Sequence, residues 1–281
     1  MIGFLDRPIY TEAMTVCIAA ISDDKDILSL TDKKFTVTHG VVSAYEITEN
    51  KKSIECTSSC VALFAGDITN ANSVLQLAMG KIQDSDTIED VAKKIQQAYN
   101  EKLQDEINQQ VLSKHGLNIQ AFNEQQRTLD ATFVSSVLET ISTKGSLGIE
   151  VIIAGKDDET PRLIKMQSTG ALEDDTYAGY VCIGSGSSHA KLSLIESGCH
   201  GAMPLELLVY AMLKAKKYAE FDPNVGKMSD IMMASDKIQR FDEDVVKILW
   251  SEYDESVNKI AEITQKTSTI MKGHIDGITS K

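Results

Sequence analysis

The sequence predicts an α+β domain in which two antiparallel sheets lie face to face with helices outside each, a four-layer αββα sandwich. Short apolar runs bounded by turn residues fill residues 16–66 and return at 147–166, which is typical of β-strands. Between these groups, from residue 67 to 141, the apolar residues recur at helical spacing. Because no linker-like segment or internal repeat separates the groups, we expect them to pack as layers of one domain.

The first predicted element is a β-hairpin. Residues 16–21 and 27–30 are apolar runs, and the polar residues 22–26 between them predict a solvated turn. The two ends of an antiparallel pair lie side by side, so we expect Thr15 and Asp32 to share one pocket. Further strands are predicted over residues 35–38, 41–47, 51–56 and 59–66.

Helices are predicted next. Apolar spacing predicts a helix over 68–78, a second from the capping residue Thr87 to about Gly116, and a third over 118–141. The strands then resume: we expect residues 147–154 and 162–166 to form a hairpin with 155–161 as its loop, and 180–183 to form another strand.

The last third of the chain is predicted to alternate helices and a strand. Gly184-Ser-Gly-Ser is interpreted as a strand-to-helix turn, with Ser187 or Ser188 capping a helix to Ser197. A helix from Pro204, in its first turn, to Glu220 precedes a final strand over 229–235 and a long helix over 242–272. That long helix is expected to cover the core or to form an oligomer contact.

Composition excludes several classes of protein. The 28 basic and 41 acidic side chains give a net charge of −13, which disfavours binding to nucleic acid or to anionic lipid. No run of eighteen apolar residues indicates a membrane span, and Asp6, Arg7 and Pro8 stand where a signal peptide needs an apolar centre. The five cysteines form no CxxC pair, which is typical of a reducing compartment, so a cytoplasmic location is predicted. The five histidines are widely spaced, so we expect no metal and no cofactor.

Thr15 is the candidate nucleophile. A threonine hydroxyl needs a base, and a threonine at a chain terminus has one in its own α-amino group, whose ordinary pKa is roughly 7.7 to 8.0. Translation from Met14 and removal of that methionine would expose Thr15, so residues 1–14 are expected to be a leader or to precede the true start. A buried Asp32–Lys52 ion pair beside Thr15 would favour the alkoxide, although solvated turn residues are the simpler interpretation of these charges.

These residues resemble the proteasome β-subunit and related bacterial ring peptidases, members of the N-terminal-nucleophile (Ntn) hydrolase superfamily. Thr15, Asp32, Lys52 and Gly66 match four positions of that family: the first threonine, the acid after the second strand, the lysine, and the glycine that ends a hydrophobic strand. Downstream, Gly184-Ser-Gly-Ser resembles the family's serine-bearing turn, and residues 221–235 resemble its last catalytic loop and strand. The resemblance covers residues 15 to about 250.

The resemblance implies an Ntn-type fold and an N-terminal threonine amide hydrolase, specifically a proteasome-like peptidase. Thr15 would attack an amide carbonyl with its own amine as base, while Lys52, held by Asp32, stabilises the developing anion. The Gly66 N–H would face the oxyanion, and Ser185 and Asp222 would orient the amine. A peptide or amide substrate and a homo-oligomer, either a ring or a dimer, are implied. One domain over residues 15–281 is expected, with a helical insertion at about 102–145 and an extension at about 251–281.

The sequence departs from the family at three points. Met14 replaces the glycine that precedes the threonine in members with a cleaved propeptide, Val225 replaces a serine of the last loop, and the two extra segments exceed the proteasome pattern. Two alternatives stay open: a ring subunit that keeps the fold without the chemistry, and an amidohydrolase of a small non-peptide substrate.

Overall fold

The computed structural model describes residues 15–34, 51–143, 145–201 and 203–279. The predicted leader over 1–14 and the predicted strands over 35–38 and 41–47 lie outside these residues. The described strands are β1 (Cys17–Ile21), β2 (Ile27–Asp32), β3 (Ser53–Thr57), β4 (Cys60–Gly66), β5 (Ile149–Asp157), β6 (Thr160–Met166), β7 (Leu172–Asp174), β8 (Tyr180–Ile183), β9 (Ser229–Ala234) and β10 (Ile238–Arg240). The helices are α1 (Ile68–Met79), α2 (Ile88–Ile107), α3 (Ile119–Gln125), α4 (Ala131–Thr143), α5 (Ser187–Glu196), α6 (Leu205–Ala219) and α7 (Glu243–Thr279).

The strands form two five-stranded antiparallel sheets, which confirms the predicted mixed α and β class. The first sheet has the order β10-β9-β2-β1-β8 and the second β3-β4-β5-β6-β7. In the first, Cys17 pairs with Thr31 and Ile21 with Ile27, so the predicted first hairpin is confirmed. Because this register brings Asp32 opposite Val16, the start of β1 and the end of β2 lie side by side at one end of these two interior strands.

One hydrophobic cluster joins the two sheets. Alternate residues of each strand point to the same face, so each sheet presents one apolar row to the other. The cluster consists of Cys17, Ala19, Ile21, Ile27, Val181, Ile183, Met232 and Ala234 from the first sheet and Val61, Leu63, Ala65, Ile152, Ala154 and Leu163 from the second. This contact is compatible with a sandwich.

The first two helices cover the other face of the second sheet. Asp67 caps α1 by accepting a hydrogen bond from Asn70 N at 2.9 Å. Thr87 and Asp90 form a capping box at the start of α2, as predicted. Apolar side chains of both helices, Tyr99 among them, pack on the strand residues Phe64 and Val151 in a second core cluster.

Residues 107–143 form a small helical group with a core of its own. A π-helical turn and a 3-10 turn extend α2 to His115, and Gly116 ends the run with a φ of 70°. The predicted single helix over 118–141 is two helices, α3 and α4, because Asp130 starts a new one by accepting hydrogen bonds from Thr132 N and Phe133 N. The group's buried residues are Ile107, Val111, Leu112, Phe122 and Val137.

Helices α5 and α6 contact the first sheet through β8 and β2. The capping prediction for α5 was wrong: Gly186 is the N-cap residue, and neither Ser187 nor Ser188 supplies a side-chain cap. Pro204 precedes α6 as its N-cap residue rather than lying in its first turn.

One prediction about the strands was wrong, and two short strands were missed. The predicted loop 155–161 is a two-residue turn at Asp158 and Glu159, because Asp157 pairs with Thr160 and Pro161 lies in β6. Pro161 is tolerated there since β7 pairs only with Ile164–Met166, so the backbone nitrogen of the proline faces none of the described strands. The strands β7 and β10, of three residues each, were not predicted.

The chain divides into two compact units, one ending at Arg240 and the other beginning at Phe241. The second unit contains α7, which is longer than the predicted helix over 242–272. The prediction of a single domain over 15–281 with its insertion and extension stays a prediction. None of the described helices combines the length and the apolar character that crossing a membrane requires.

Candidate active site

Three side chains at the ends of three strands, two of the first sheet and one of the second, meet at one point. Thr15 precedes β1, Asp32 ends β2 and Lys52 directly precedes β3 of the second sheet. The Thr15 hydroxyl donates a hydrogen bond to Asp32 Oδ1 and accepts one from Lys52 Nζ. Lys52 Nζ also lies 2.8 Å from Asp32 Oδ1. The side chains are almost fully buried, with 2% of Thr15, 0% of Asp32 and 4% of Lys52 exposed.

The Asp32 carboxylate is held by backbone amides as well as by Lys52. Oδ1 accepts a hydrogen bond from Val16 N at 3.0 Å, and Oδ2 accepts from Gly226 N at 2.9 Å and Lys34 N at 3.2 Å. A buried carboxylate is stable in its charged form only when its lone pairs are satisfied. These donors therefore fix a charged group beside the Thr15 hydroxyl.

Lys52 reaches Thr15 and Asp32 because the strand that follows it is hydrogen-bonded to the first sheet. The next residue, Ser53, donates to Asp230 Oδ2 at 3.1 Å, and Arg240 donates from Nη2 to Ser53 Oγ at 3.0 Å. Arg240 Nη1 also donates to Asp230 Oδ2. This buried polar group joins β3 to β9 and β10 and sets where the second sheet places the lysine.

The turn after β8 touches the backbone of Thr15. Gly186 N donates to Thr15 O at 3.1 Å. Gly184 has a φ of +89°, and a Cβ atom added there would meet Thr15 O at 2.4 Å. On the other side, Gly184 N donates to Glu150 Oε2 at 3.2 Å. The turn therefore approaches Thr15 closely because it carries glycine.

Ser185 lies between these two glycines. Its Oγ is buried and has no hydrogen-bond partner among the described residues. Buried hydroxyls normally have a partner. Ser185 thus lies in the turn whose glycines contact Thr15, and its amine-orienting role stays a prediction.

Gly66 ends β4 with a φ of +109°, and a Cβ atom there would meet Gly148 O at 2.0 Å. Cys17 Sγ, two residues after Thr15, donates to Phe64 O at 3.3 Å, two residues before Gly66. That contact sets the end of β4 opposite the start of β1. The oxyanion role of Gly66 stays a prediction.

Asp222 makes a local contact: its Oδ1 accepts a hydrogen bond from Asn224 N at 2.9 Å, which fixes the turn after α6. The loop after α6 contacts the candidate site through Gly226, whose N–H donates a hydrogen bond to Asp32 Oδ2. Val225 is buried in the same loop and packs against Gly186, where an added Cβ atom would meet Val225 Cγ2 at 2.7 Å. The amine-orienting role of Asp222 stays a prediction.

Burial also affects the thiol beneath the site. Cys17 is fully buried, and desolvation raises its pKa far above the usual range, although the Lys52 ammonium opposes the shift. A thiol with a raised pKa is a poor nucleophile. Cys17 is therefore a poor candidate for a nucleophile.

The sequence-based reasoning missed the backbone groups that position the site, namely the amides of Val16, Gly186 and Gly226 and the close approach of Gly184. The glycines gave a weak signal, since each lies in a short turn flanked by regular elements. Lys216 of α6 was also missed, and nothing in its local sequence distinguishes it from a solvated helix lysine.

No protein-family model matches the chain, and a search of curated proteins finds no match. Among the described residues, no group of His, Cys, Asp and Glu side chains has an arrangement that would hold a metal ion. The chemistry of the site is therefore argued from its own geometry: a hydroxyl is held between an ammonium and a carboxylate in a nearly dry environment.

Proposed function

We propose that the chain is an N-terminal threonine amide hydrolase, a proteasome-like peptidase of Ntn type, whose nucleophile is Thr15. The observation that carries the proposal is the mutual contact of the Thr15 hydroxyl, Lys52 Nζ and the Asp32 carboxylate. A buried hydroxyl that both donates to a carboxylate and accepts from an ammonium is prepared to lose its proton.

The proposed reaction begins when Thr15 Oγ attacks the carbon of an amide carbonyl. The α-amine of a chain beginning at Thr15 accepts the hydroxyl proton, directly or through water, and delivers it to the leaving amine as the C–N bond breaks. Water then cleaves the acyl ester on Thr15, with the same amine as base, and restores the hydroxyl. Lys52 stabilises the oxygen of Thr15 as its negative charge grows, and Asp32 keeps the ammonium in place. The Gly66 N–H is assigned to the oxyanion, where loss of a donor typically costs on the order of 10² to 10³ in rate.

The fold supports the same proposal. Two antiparallel sheets share one core, with α1 and α2 on the second sheet and α5 and α6 in contact with the first. That order of layers is compatible with a four-layer αββα sandwich, which by the resemblance we propose to be of Ntn type. By the same resemblance we propose a homo-oligomer, either a ring or a dimer, in the cytoplasm.

Intact mass after treatment with a peptide β-lactone tests the activity. Thr15 Oγ opens the lactone and keeps the whole reagent as an ester, so a chain that begins at Thr15 should gain the full reagent mass. The same chain with Met14 retained is the matched control and should gain nothing, because its Thr15 nitrogen is an amide. Thr15→Ala should also stay unmodified. An unmodified Thr15 chain would refute the proposal.

One observation favours a non-catalytic subunit as the second candidate. Val225 fills the space beside Gly186 with an apolar side chain, where the family has a serine that bonds the amine. Replacing Val225 by Ser tests this: a subunit that lacks only this partner should gain lactone reactivity, whereas a working hydrolase should react before the change. Comparing a peptide library with a panel of small amides would separate a peptidase from a small-molecule amidohydrolase.

A further inference from the structure

Lys216 is a buried cation that the proposed reaction does not use. It lies in the last turn of α6, and 0% of its side chain is exposed. Its ammonium donates to Glu220 Oε1 at 2.7 Å and to Gly226 O at 2.6 Å. Lysine is almost never fully buried without such partners.

Gly226 connects this cation to the candidate site. Its carbonyl accepts from Lys216, and its N–H donates to Asp32 Oδ2 at 2.9 Å. A Cβ atom at Gly226 would meet Lys34 Cβ at 2.4 Å and Asp32 Oδ2 at 3.1 Å, so only glycine lets the backbone come this close. With hydrogen bonds on both sides of its Cα, Gly226 cannot shift without loosening Asp32.

The electrostatics agree with this connection. Burial lowers the pKa of Lys216, and the ion pair with Glu220 opposes that shift. The charge of Asp32 also favours the ammonium, so the two groups are within electrostatic reach of each other. The desolvation of an ammonium is strongly unfavourable before its contacts are counted. An exposed lysine at the same helix end would complement the helix dipole without that desolvation cost.

We propose that Lys216 is a positioning residue of the active site: through the Gly226 backbone it fixes the Asp32 carboxylate that holds Lys52 and Thr15. This rests on the proposed function for its effect on reactivity, while the positioning itself is a property of the folded chain. A displacement of an ångström or less at Asp32 changes the distance to Thr15 Oγ, and misplacement on that scale lowers rates by up to about 100-fold.

The test uses Lys216→Met, which keeps most of the volume and removes the charge. Lys217→Met is the matched control: Lys217 is the next residue of the same helix and also pairs with Glu220, at 3.0 Å, but half of its side chain is exposed. In chains beginning at Thr15, the maximal rate of labelling by a peptide β-lactone and the reagent's apparent dissociation constant are measured separately. Amide hydrogen exchange at Gly226 is measured in the same proteins.

We expect Lys216→Met to lower the maximal labelling rate about 10- to 100-fold at an unchanged dissociation constant. Gly226 should exchange at least about tenfold faster as its carbonyl anchor is lost. Lys217→Met should change neither quantity by more than about twofold. In an Asp32→Asn background, Lys216→Met should have little further effect on labelling, because the carboxylate through which it acts has been removed.

Two results would overturn the proposal: Lys216→Met behaving like Lys217→Met, or Lys216→Met losing as much rate in the Asp32→Asn background as in the wild type. If the wild-type Thr15 chain never reacts but Gly226 exchange rises only in Lys216→Met, the proposed function fails and the positioning stands. Should Lys216→Met not fold, Lys216→Arg replaces it. That variant keeps a donor, so a rate within about threefold of wild type supports the proposal and a full loss overturns it.

Discussion

Comparing Lys52→Met with Lys156→Met distinguishes a buried ion pair that serves the candidate site from one that only joins the two sheets. Lys52→Met leaves Asp32 fully buried and without the ammonium 2.8 Å from its Oδ1. Removing one partner of a buried pair typically destabilises a protein by about 3–5 kcal/mol. The amides of Val16, Lys34 and Gly226 still bind the carboxylate, so we expect the free energy of unfolding to fall by about 3 kcal/mol, the lower end of that range.

The matched control is Lys156→Met. Lys156 is also buried, at 7% exposed, but its partner Asp26 is 3.5 Å away and 21% exposed, so water can solvate the carboxylate that remains. We expect Lys156→Met to lower the free energy of unfolding by about 1 kcal/mol. The difference of about 2 kcal/mol corresponds to about 4–8 °C in Tm for a domain of this size.

Urea unfolding and thermal unfolding measure both variants, and β-lactone labelling of the Thr15 chain gives the functional result. Lys52→Met should label at least about 100-fold more slowly than wild type, while Lys156→Met should label at the wild-type rate. Equal stability losses in the two variants would refute the argument from burial. Normal labelling of Lys52→Met would refute the assignment of the ammonium to the Thr15 oxygen.

Three further predictions concern strain, ionisation and assembly. Gly184→Ala should lower the free energy of unfolding by more than about 2 kcal/mol, since its Cβ atom would meet Thr15 O at 2.4 Å. Gly148→Ala, with a similar φ of +67° and nothing within 4 Å of its Cβ atom, should lower it by about 1 kcal/mol. Equal losses in urea unfolding would disprove the close contact. Burial raises the pKa of Cys17, so the thiol's contribution to stability is complete below the unfolded pKa of about 8.5 and is lost as pH rises beyond it. The urea midpoint of Cys17→Ala should therefore fall less between pH 8 and pH 10 than that of the wild type. Equal falls in the two proteins would contradict this. Ile263, 63% exposed on α7, is expected at a contact between copies of the chain, so Ile263→Lys should lower the molar mass measured by light scattering. If the wild type is an oligomer and the variant has the same molar mass, that face of α7 is not the contact.

Local pattern was sufficient for the elements with a strong period or a strong turn. The hairpin around Asp23 and Asp24 follows from two apolar runs with a polar turn, and antiparallel geometry alone then predicts that Thr15 and Asp32 meet. The short strands β7 and β10 were missed because three residues cannot display a period of two. The loop between β5 and β6 was predicted too long because Pro161 was assigned to it. Proline favours loops unless one side of its strand is unpaired.

Long-range pairing explains the rest of what the sequence could not reveal. Lys52 was placed beside Thr15 by resemblance and not by its own pattern, because a lysine at a strand end is usually solvated. Its burial depends on Ser53, Asp230 and Arg240, which lie in separate elements and have meaning only once the two sheets are packed. No local rule predicts such a cluster.

Lys216 and Gly226 illustrate the same limit more sharply. Lys216 ends an amphipathic helix, where a lysine is expected for its favourable interaction with the helix dipole, and Gly226 follows a turn, where glycine is expected for its flexibility. Each local explanation is sufficient, and each conceals the contact that joins the residue to Asp32, 194 positions away from Gly226 in the chain. A site assembled through backbone amides leaves almost no side-chain signature, so the residues that hold it in place are found only when the fold brings them together.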